Sequence, residues 1–400
     1  MSGTLPEPAP LPFTRRPGCP FDPPEELAPL REQHPISRMA YSDGHVGWLV
    51  TGHALAREVL ADPRFSTRRE LIHFPFPGGA DIVMTPAPVG HFTAMDPPEH
   101  TRYRRLLTGQ FTVRRMDRLT ARIKQITAEH LDAMEKQGSP VDLVNAFAYP
   151  IPALTICELL GVPSVDHDLF QREAKLMNSL DATESEVMAA VTALDDYMRD
   201  LIASKRAKPT DDLLSDLTTT DLTDDELAGI GTVLLGSGLD STANMIALGV
   251  FAMLSHPDQF SALRAHPGIA DNAVEELLRY LSVIHTGAKA ALEDVELGGH
   301  LIRAGDTVTV SLHAANRDPE RFADPDTLDL RRRAIGHLAF GHGIHQCLGQ
   351  QLARVEMRVA YPALLTRFPT LRLAVRPEEV PLYIGSIYGV QRLPVAWDKA

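Results

Sequence analysis

Residues 337–349 of this chain, HLAFGHGIHQCLG, place a single cysteine, Cys347, in a glycine-rich turn. Glycine has no Cβ atom, so it reaches positive φ angles and lets the backbone approach another group closely. We therefore expect Gly341, Gly343 and Gly349 to take positive φ angles and to build a tight loop beside the sulfur. A cysteine held in this way is a candidate for binding or attacking another group.

An amphipathic segment, residues 350–368, follows the loop at once and predicts a helix. The free N–H groups and the positive dipole end at the start of that helix favour a thiolate over a thiol. Such a thiolate can be a haem iron ligand, a nucleophile or, because three histidines lie nearby, a zinc ligand. An inert buried cysteine is the fourth interpretation, and the loop alone leaves all four open.

Composition narrows the class of protein. The 400 residues are 44% hydrophobic and 23% charged, an ordinary balance for a soluble globular protein. The net charge of −13 makes nucleic acid an unsuitable partner. Cys19, Cys157 and Cys347 are scattered without pairing spacing, as in a reducing cytosol. Residues 1–24 are rich in proline and lack an apolar run, which predicts neither a signal peptide nor a membrane anchor.

The pattern along the chain predicts a mostly helical body. A short strand at 46–51 precedes a helix, and helical periodicity dominates residues 97–280. Residues 294–310 and 382–397 are rich in Val, Ile and Thr between turns, which predicts small sheets. Residues 70–92 form a long irregular loop of Pro, Gly and Phe, either a binding loop or a plain covering loop.

A predicted helix near residue 99 carries two basic side chains on one face. Asp96 is a candidate N-cap, and Glu99 can complete a capping box. His100 and Arg104 are four residues apart, so their side chains are neighbours on the helix surface. Taken alone, the pair is better explained by a solvated basic face.

A second capping box, Thr223 to Glu226, opens an apolar run that lasts to Ser255. A helix of about 32 residues spans roughly 48 Å, so it must cross the interior. Its middle, residues 236–242, consists of weak helix formers that suggest a bulky group against the helix. Asp240 beside hydroxyl groups suggests proton delivery, and a simple packing groove is the alternative.

The order Phe-Gly-x-Gly-x-His-x-Cys-x-Gly in residues 340–349 resembles the haem loop of the cytochrome P-450 family. That resemblance implies a mainly α, single-domain fold of triangular shape with small β-sheets, enclosing haem b (iron protoporphyrin IX). Residues 25–400 would form this domain after a Pro-rich segment, 1–24. Cys347 would be the axial thiolate ligand. The lack of an anchor implies a soluble, cytoplasmic, bacterial-type member, expected as a monomer.

The resemblance also assigns roles to residues outside the loop. His100 and Arg104 match the helix whose donors bind the haem propionates, Lys289 stands where the family usually has arginine, and His345 matches the remaining propionate donor. Further haem contacts would come from the loop residues Phe340, Gly341 and Gly349. Lysine keeps the charge of arginine but loses its bidentate fork.

Two more family motifs are present. Residues 236–242 resemble the oxygen-activating helix, usually Ala-Gly-x-Asp/Glu-Thr, with Ser241 at the alcohol position. Asp240, Ser241 and Thr242 would then be the catalytic residues. Glu276-x-x-Arg279 resembles the family's structural pair, which locks onto a later arginine, here Arg332. Without the resemblance, that pair would be interpreted as a weak surface contact.

The resemblance implies a monooxygenase that inserts one oxygen atom from O2 into a C–H bond or a double bond. Because no flavin or nicotinamide segment is present, electrons would come from a ferredoxin and its reductase. That partner would dock on a basic proximal patch formed by Arg102, Arg105, Arg114, Arg115, Arg354 and Arg358. The alternatives are an oxidative coupling enzyme and a catalytically silent member that docks to a carrier protein.

The expected substrate is bulky and mainly apolar, such as a polyketide, terpenoid or steroid-like molecule. The three-to-four spacing puts Leu234, Gly238, Ser241 and Met245 on one stripe facing the distal side of the haem. Ser237 and residues 70–92 are further candidate contacts, as are Ile284, His285, Ser386 and Ile387. Ionisation of His285 is the one charge expected in this region.

Overall fold

Helices make up most of the part of the chain that this computed structural model describes, residues 6–16, 18–80, 82–177 and 183–398. In chain order the α-helices are α1 (Leu27–Gln33), α2 (His53–Ala61), α3 (Glu99–Thr108), α4 (Val113–Gln137), α5 (Pro150–Leu160), α6 (His167–Met177), α7 (Glu184–Ala207), α8 (Leu213–Leu217), α9 (Asp224–Ser255), α10 (Pro257–Ala265), α11 (Ala270–Leu281), α12 (Leu312–Ala315) and α13 (Gln350–Arg367). The predicted helical body and the helix after Cys347 are confirmed.

The strands are short and lie mostly near the ends of the chain. They are β1 (Ile36–Ala40), β2 (Val46–Val50), β3 (Phe65–Ser66), β4 (Val141–Asp142), β5 (Thr286–Ala291), β6 (Val295–Leu297), β7 (His300–Ile302), β8 (Thr307–Ser311), β9 (Arg372–Leu373), β10 (Leu382–Ile384), β11 (Tyr388–Val390) and β12 (Pro394–Ala396). One five-stranded sheet has the order β1-β2-β8-β5-β3, in which only β2 and β8 pair in parallel. The predicted small sheets are confirmed.

Helix α9 forms the centre of the largest apolar core. Its capping box has formed, because Glu226 N–H donates to Thr223 Oγ1 (3.2 Å) and Thr223 N–H donates to Glu226 Oε2 (2.8 Å). By length and composition α9 is the one helix in the described ranges that could cross a membrane, but 72% of its most apolar window is buried inside the fold. It is therefore the core helix of this protein, and it packs against α5, α7 and α13.

Residues 70–92 form an irregular loop between two single turns of 3₁₀-helix, as predicted; Asp81 lies outside the described residues. Near its start, Phe76 packs on a small core that contains Leu11. Near its end, Gly90 crosses Gly229 of α9, where an added Cβ on Gly229 would lie 2.0 Å from the Val89 carbonyl oxygen. The loop is thus fixed at two points.

Candidate active site

The cysteine loop is closed by its own backbone. Cys347 N–H donates to the Phe340 carbonyl oxygen (2.9 Å), while Gly341 and Gly343 take φ angles of +68° and +76°. These two positive φ angles are confirmed. The prediction for Gly349 is wrong, because its φ is −80° and it is the N-cap residue of α13. A residue that precedes a helix directly does not need a left-handed conformation.

The surroundings of Cys347 shift the pKa of its thiol in opposite directions. The side chain is accessible at the mouth of the loop, although protein atoms enclose it on its other sides. Burial raises the pKa of the Cys347 thiol, whereas the Gly349 N–H group and the Arg104 guanidinium lower it. The predicted influence of the helix start is therefore present, and an arginine from α3 adds to it.

The four predicted basic donors lie together beside the cysteine loop. The ring centroids of His100 and His345 are 4.1 Å apart, and Arg104 Nη2 donates to the Gln346 carbonyl oxygen (2.6 Å). Lys289, on β5, is 5% exposed, and its ammonium group has no hydrogen-bond or ion-pair partner within the described residues. Burial lowers the pKa of Lys289 to about 8. Burial also lowers the pKa of His345, to about 3, and the nearby Lys289 charge adds to this effect.

His100 is the least satisfied side chain of this group. Only 2% of it is exposed, and neither Nδ1 nor Nε2 has a partner in the described chain. Burial lowers the pKa of His100, and the charges of Arg104 and Lys289 lower it further. Buried polar nitrogens normally have partners, so these atoms fit an anionic or polar group that binds between them.

Thr67, which the sequence reasoning did not single out, contacts His345 and is itself held by Asp96. Thr67 Oγ1 lies 3.0 Å from His345 Nε2, and the Thr67 N–H group donates to Asp96 Oδ1 (2.9 Å). Asp96 also accepts from Ser66 Oγ (2.5 Å), so the predicted N-cap role of Asp96 is wrong. Contacts across 278 residues of sequence leave no local signal by which Thr67 could have been found.

The predicted structural trio is assembled around a buried pair, Glu276 and Arg279, with Arg332 half-buried beside them. Arg279 donates to Glu276 through Nε (2.8 Å) and Nη2 (2.8 Å), and Arg332 Nε donates to the same carboxylate (3.0 Å). Glu276 and Arg279 are 0% exposed. The trio ties α11 to the segment that leads into the cysteine loop.

The middle of α9 carries an acid with a local partner. Asn244 Nδ2 donates to Asp240 Oδ1 (3.2 Å), and burial raises the pKa of Asp240 above its usual value. Ser241 Oγ donates to the Ser237 carbonyl oxygen (3.1 Å), and Thr242 is buried. Asn244 was missed by the sequence reasoning, although its position one helical turn after Asp240 could have indicated it.

The predicted ligand-facing stripe of α9 needs correction. An added Cβ on Gly238 would meet Ile156 of α5 at 3.3 Å, and Met245 is 3% exposed, with its carbonyl oxygen accepting from Tyr361 Oη (2.6 Å). A leucine at position 238 would press on α5. In this part of α9, Ser237 is exposed, and Asp240 and Ser241 are half-buried. A spacing of three to four residues fixes a stripe but not which neighbour it faces.

The later candidate contacts come together in space. Ile284 and Ile387 pair as an isolated antiparallel bridge, and Ser386 beside them is exposed. The ring Nε2 of His285 lies 2.8 Å from the Gly385 carbonyl oxygen. Burial lowers the pKa of His285 to about 4, which favours the neutral ring at pH 7 over the ionised form considered from the sequence.

The predicted basic patch is largely neutralised. Five of its arginines pair with acids: Arg102 with Glu226, Arg114 with Asp211, Arg115 with Asp216, Arg354 with Glu275 and Arg358 with Asp271. Within the described residues only Arg105 of the six is exposed and lacks an acidic partner. The patch as predicted is wrong, because counting arginines in a sequence omits the carboxylates that fold beside them.

Comparison with known proteins gives a consistent family. The family described as "Cytochrome P450" matches residues 268–381. The chain is 50% identical to "Cytochrome P450 105C1" of a Streptomyces species over 94% of this chain and 96% of that protein. It is 45% identical to "Pentalenic acid synthase" of Streptomyces avermitilis, covering 97% and 98%.

A solved structure agrees with these relatives. The crystal structure of CYP105P1 in complex with filipin I superposes with a TM-score of 0.92 at 40% identity, covering 98% of this chain and 100% of that chain. This likeness confirms the predicted fold class. The chain therefore belongs to the cytochrome P450 family: it is a monooxygenase that uses haem b and O2 to oxidise a small molecule.

Proposed function

We propose that Cys347 is the axial thiolate ligand of the haem iron and that His100, Arg104, Lys289 and His345 receive the two propionates. The observation that carries this assignment is the buried His100 ring, whose two nitrogens have no hydrogen-bond partner among the described residues while three further basic groups lie near it. Carboxylates satisfy such donors, with about 1.5–3 kcal/mol for each charge-assisted bond. Phe340, Gly341 and Gly349 would line the haem beside these contacts.

When bound, haem with a thiolate ligand supplies the oxidising chemistry, placing one oxygen atom of O2 in the substrate and releasing the other as water. The chain's own part is to hold protons near the distal face. Asp240 is half-buried, and this burial raises the pKa of its carboxyl group, which therefore keeps a proton to a higher pH than usual and can pass it to the neighbouring hydroxyl groups. Ser241 and Thr242 provide those hydroxyls, and Asn244 orients the acid.

The substrate is a bulky, mainly apolar small molecule that becomes hydroxylated or epoxidised. Leu234, Ser237 and Ser241 of α9, together with Ile284, His285, Ser386 and Ile387, are the proposed contacts. A neutral His285 supports this class, because the ring itself then offers no counter-charge to an acidic substrate and burying an unpaired charge beside it would be costly. The complex of the relative CYP105P1 with filipin I gives further support.

Electrons would come from a ferredoxin and its reductase in the cytoplasm. The protein would be a monomer in which residues 25–400 form one haem domain after the segment 1–24. Because five of the six arginines are neutralised, steering by charge should be weaker than the sequence suggested. We expect electron-transfer rates measured by stopped flow to fall only modestly between low and high ionic strength. A steep fall would show that a basic patch elsewhere dominates docking.

The decisive test is Cys347→Ala, compared with Cys19→Ala as the control. The first variant should lose the thiolate-type absorption of the reduced carbon monoxide complex and all turnover, while the control keeps both. Retention of that absorption in Cys347→Ala would refute the assignment. Product mass then separates the reactions: a gain of one oxygen indicates monooxygenation, a loss of two hydrogens indicates oxidative coupling, and no product from any substrate indicates a silent protein.

A further inference from the structure

We propose that the N-terminal strap, the described residues 11–16 and 18–22, positions the substrate-contacting segments, and that Phe13 is a positioning residue for ligand binding. This inference rests on the proposed function, which assigns ligand contacts to the loop 70–92, to residues 284–285 and to residues 386–387. The strap contacts one ring in or beside each of these three segments, although it is far from them in sequence.

Phe13 forms a triangle of rings with two of the segments. Its ring centroid lies 5.5 Å from that of Phe76, edge to face at 66°, and 5.5 Å from that of His285. The third side of the triangle, Phe76 to His285, measures 5.8 Å. Aromatic pairs at these separations attract one another beyond simple burial. Phe13 therefore joins the start of the irregular loop to the turn after α11.

Arg15 connects the same strap to the third segment. Its guanidinium lies 3.6 Å from the ring centroid of Tyr388, the residue directly after Ile387. Arg15 Nη1 donates to the Asp22 carbonyl oxygen (2.7 Å), and Tyr388 Oη donates to the Pro20 carbonyl oxygen (2.7 Å). The β10–β11 hairpin is thus bonded to the far end of the strap.

The strap can act as a fixed reference because the body holds both of its ends. Ala40 N–H donates to the Ala9 carbonyl oxygen (2.9 Å), and Leu11 is 3% exposed. At the other end, Arg317 Nη2 donates to the Phe21 carbonyl oxygen (3.2 Å). A side chain projecting from a segment fixed in this way can hold a less constrained neighbour.

The loop is that less constrained neighbour. Between its fixed points at Phe76 and Gly90 it exposes Ile82 (49%) and Val83 (83%), so this part makes few buried contacts. A ligand that touches the loop must order it, and ordering reduces affinity. Keeping Phe76 against Phe13 lowers that cost. The strap therefore contributes to binding of a large ligand without touching it.

The test uses two haem-iron ligands of different size on the full-length haem protein. Clotrimazole carries three aromatic rings beside its imidazole and reaches the pocket walls, whereas imidazole alone reaches only the iron. Phe13→Ala should weaken clotrimazole binding about fivefold, the loss of a typical ring contact, with faster dissociation and unchanged imidazole affinity. Phe76→Ala should have the same effect, and the double variant should not be additive.

Phe13→Tyr, which keeps the ring, and Thr14→Ala, at an exposed neighbouring position, should bind clotrimazole like the wild type. The proposal is overturned if Phe13→Ala lowers only the melting temperature and leaves clotrimazole affinity unchanged. It is also overturned if both ligands weaken equally, since that would indicate damage at the haem. Failure of the proposed function would look different, because a protein without a thiolate-ligated haem would lack its spectrum in every variant.

Discussion

Replacing Glu276 by Gln would remove the buried charge at the centre of the trio formed with Arg279 and Arg332, while keeping the side-chain volume. In the native protein this carboxylate accepts three bonds from the guanidinium groups of Arg279 and Arg332 and one from the Asp329 N–H group (3.0 Å). Without it, a fully buried guanidinium has no counter-charge. Breaking a buried ion pair from one side costs about 3–5 kcal/mol.

Other contacts of Arg279 place the expected loss of stability in the lower part of this range. Arg279 keeps hydrogen bonds to the carbonyl oxygens of Asn316 (2.9 Å) and Pro325 (2.8 Å), which partly solvate its charge. We therefore expect a loss near the lower end, about 3 kcal/mol, which is a large part of the roughly 5–15 kcal/mol that stabilises a typical protein. Because the trio lies beside the segment leading to the cysteine loop, haem content per chain should fall together with the thermal unfolding midpoint measured by circular dichroism.

Glu379→Gln is the matched control. Glu379 also pairs with an arginine three residues away, Arg376, but both side chains are largely exposed, so the midpoint should not change measurably. If Glu276→Gln unfolds at the wild-type temperature with full haem content, the buried carboxylate does not stabilise the protein and the reasoning fails.

Two other substitutions test single features. Burial raises the pKa of Glu356 to about 8 in the fold, so its contribution to stability is present below its ordinary pKa and is lost as pH rises to 8. Relative to wild type, Glu356→Gln should therefore gain melting temperature steadily between pH 5 and 8, and a constant difference would contradict this. Gly389→Ala would place a Cβ 1.6 Å from Asn244 Oδ1 and displace the partner of Asp240. We expect less product per O2 consumed, with Gly287→Ala, which has open space around it, as the unaffected control.

The sequence predicted those features that depend on local spacing. The capping box at Thr223, the length of α9 and the closed loop around Cys347 all follow from residues close to one another in the chain. Such interactions are decided by backbone geometry within a few residues, so a sequence pattern is sufficient to find them. The resemblance of several motifs, in the same order, to those of the family then predicted the fold class.

Features that depend on distant neighbours were missed or misjudged. No residue close to Gly238 in the sequence indicates that Ile156 covers it, and none close to Arg102 in the sequence indicates that it pairs with Glu226. Thr67 was overlooked for the same reason. Each of these contacts joins segments far apart in the chain, and a single sequence carries no record of such pairs.

The crossing of the loop 70–92 over α9 has a consequence for how this protein could diversify. At the crossing the main chain of Val89–Gly90 rests directly on Gly229, with no side chain between them. The position of this end of the loop is therefore set by two backbones. Substitutions at the exposed residues Ile82 and Val83 can change the proposed ligand-contacting surface without altering the crossing, whereas any residue larger than glycine at position 90 or 229 would push this end of the loop away from the helix.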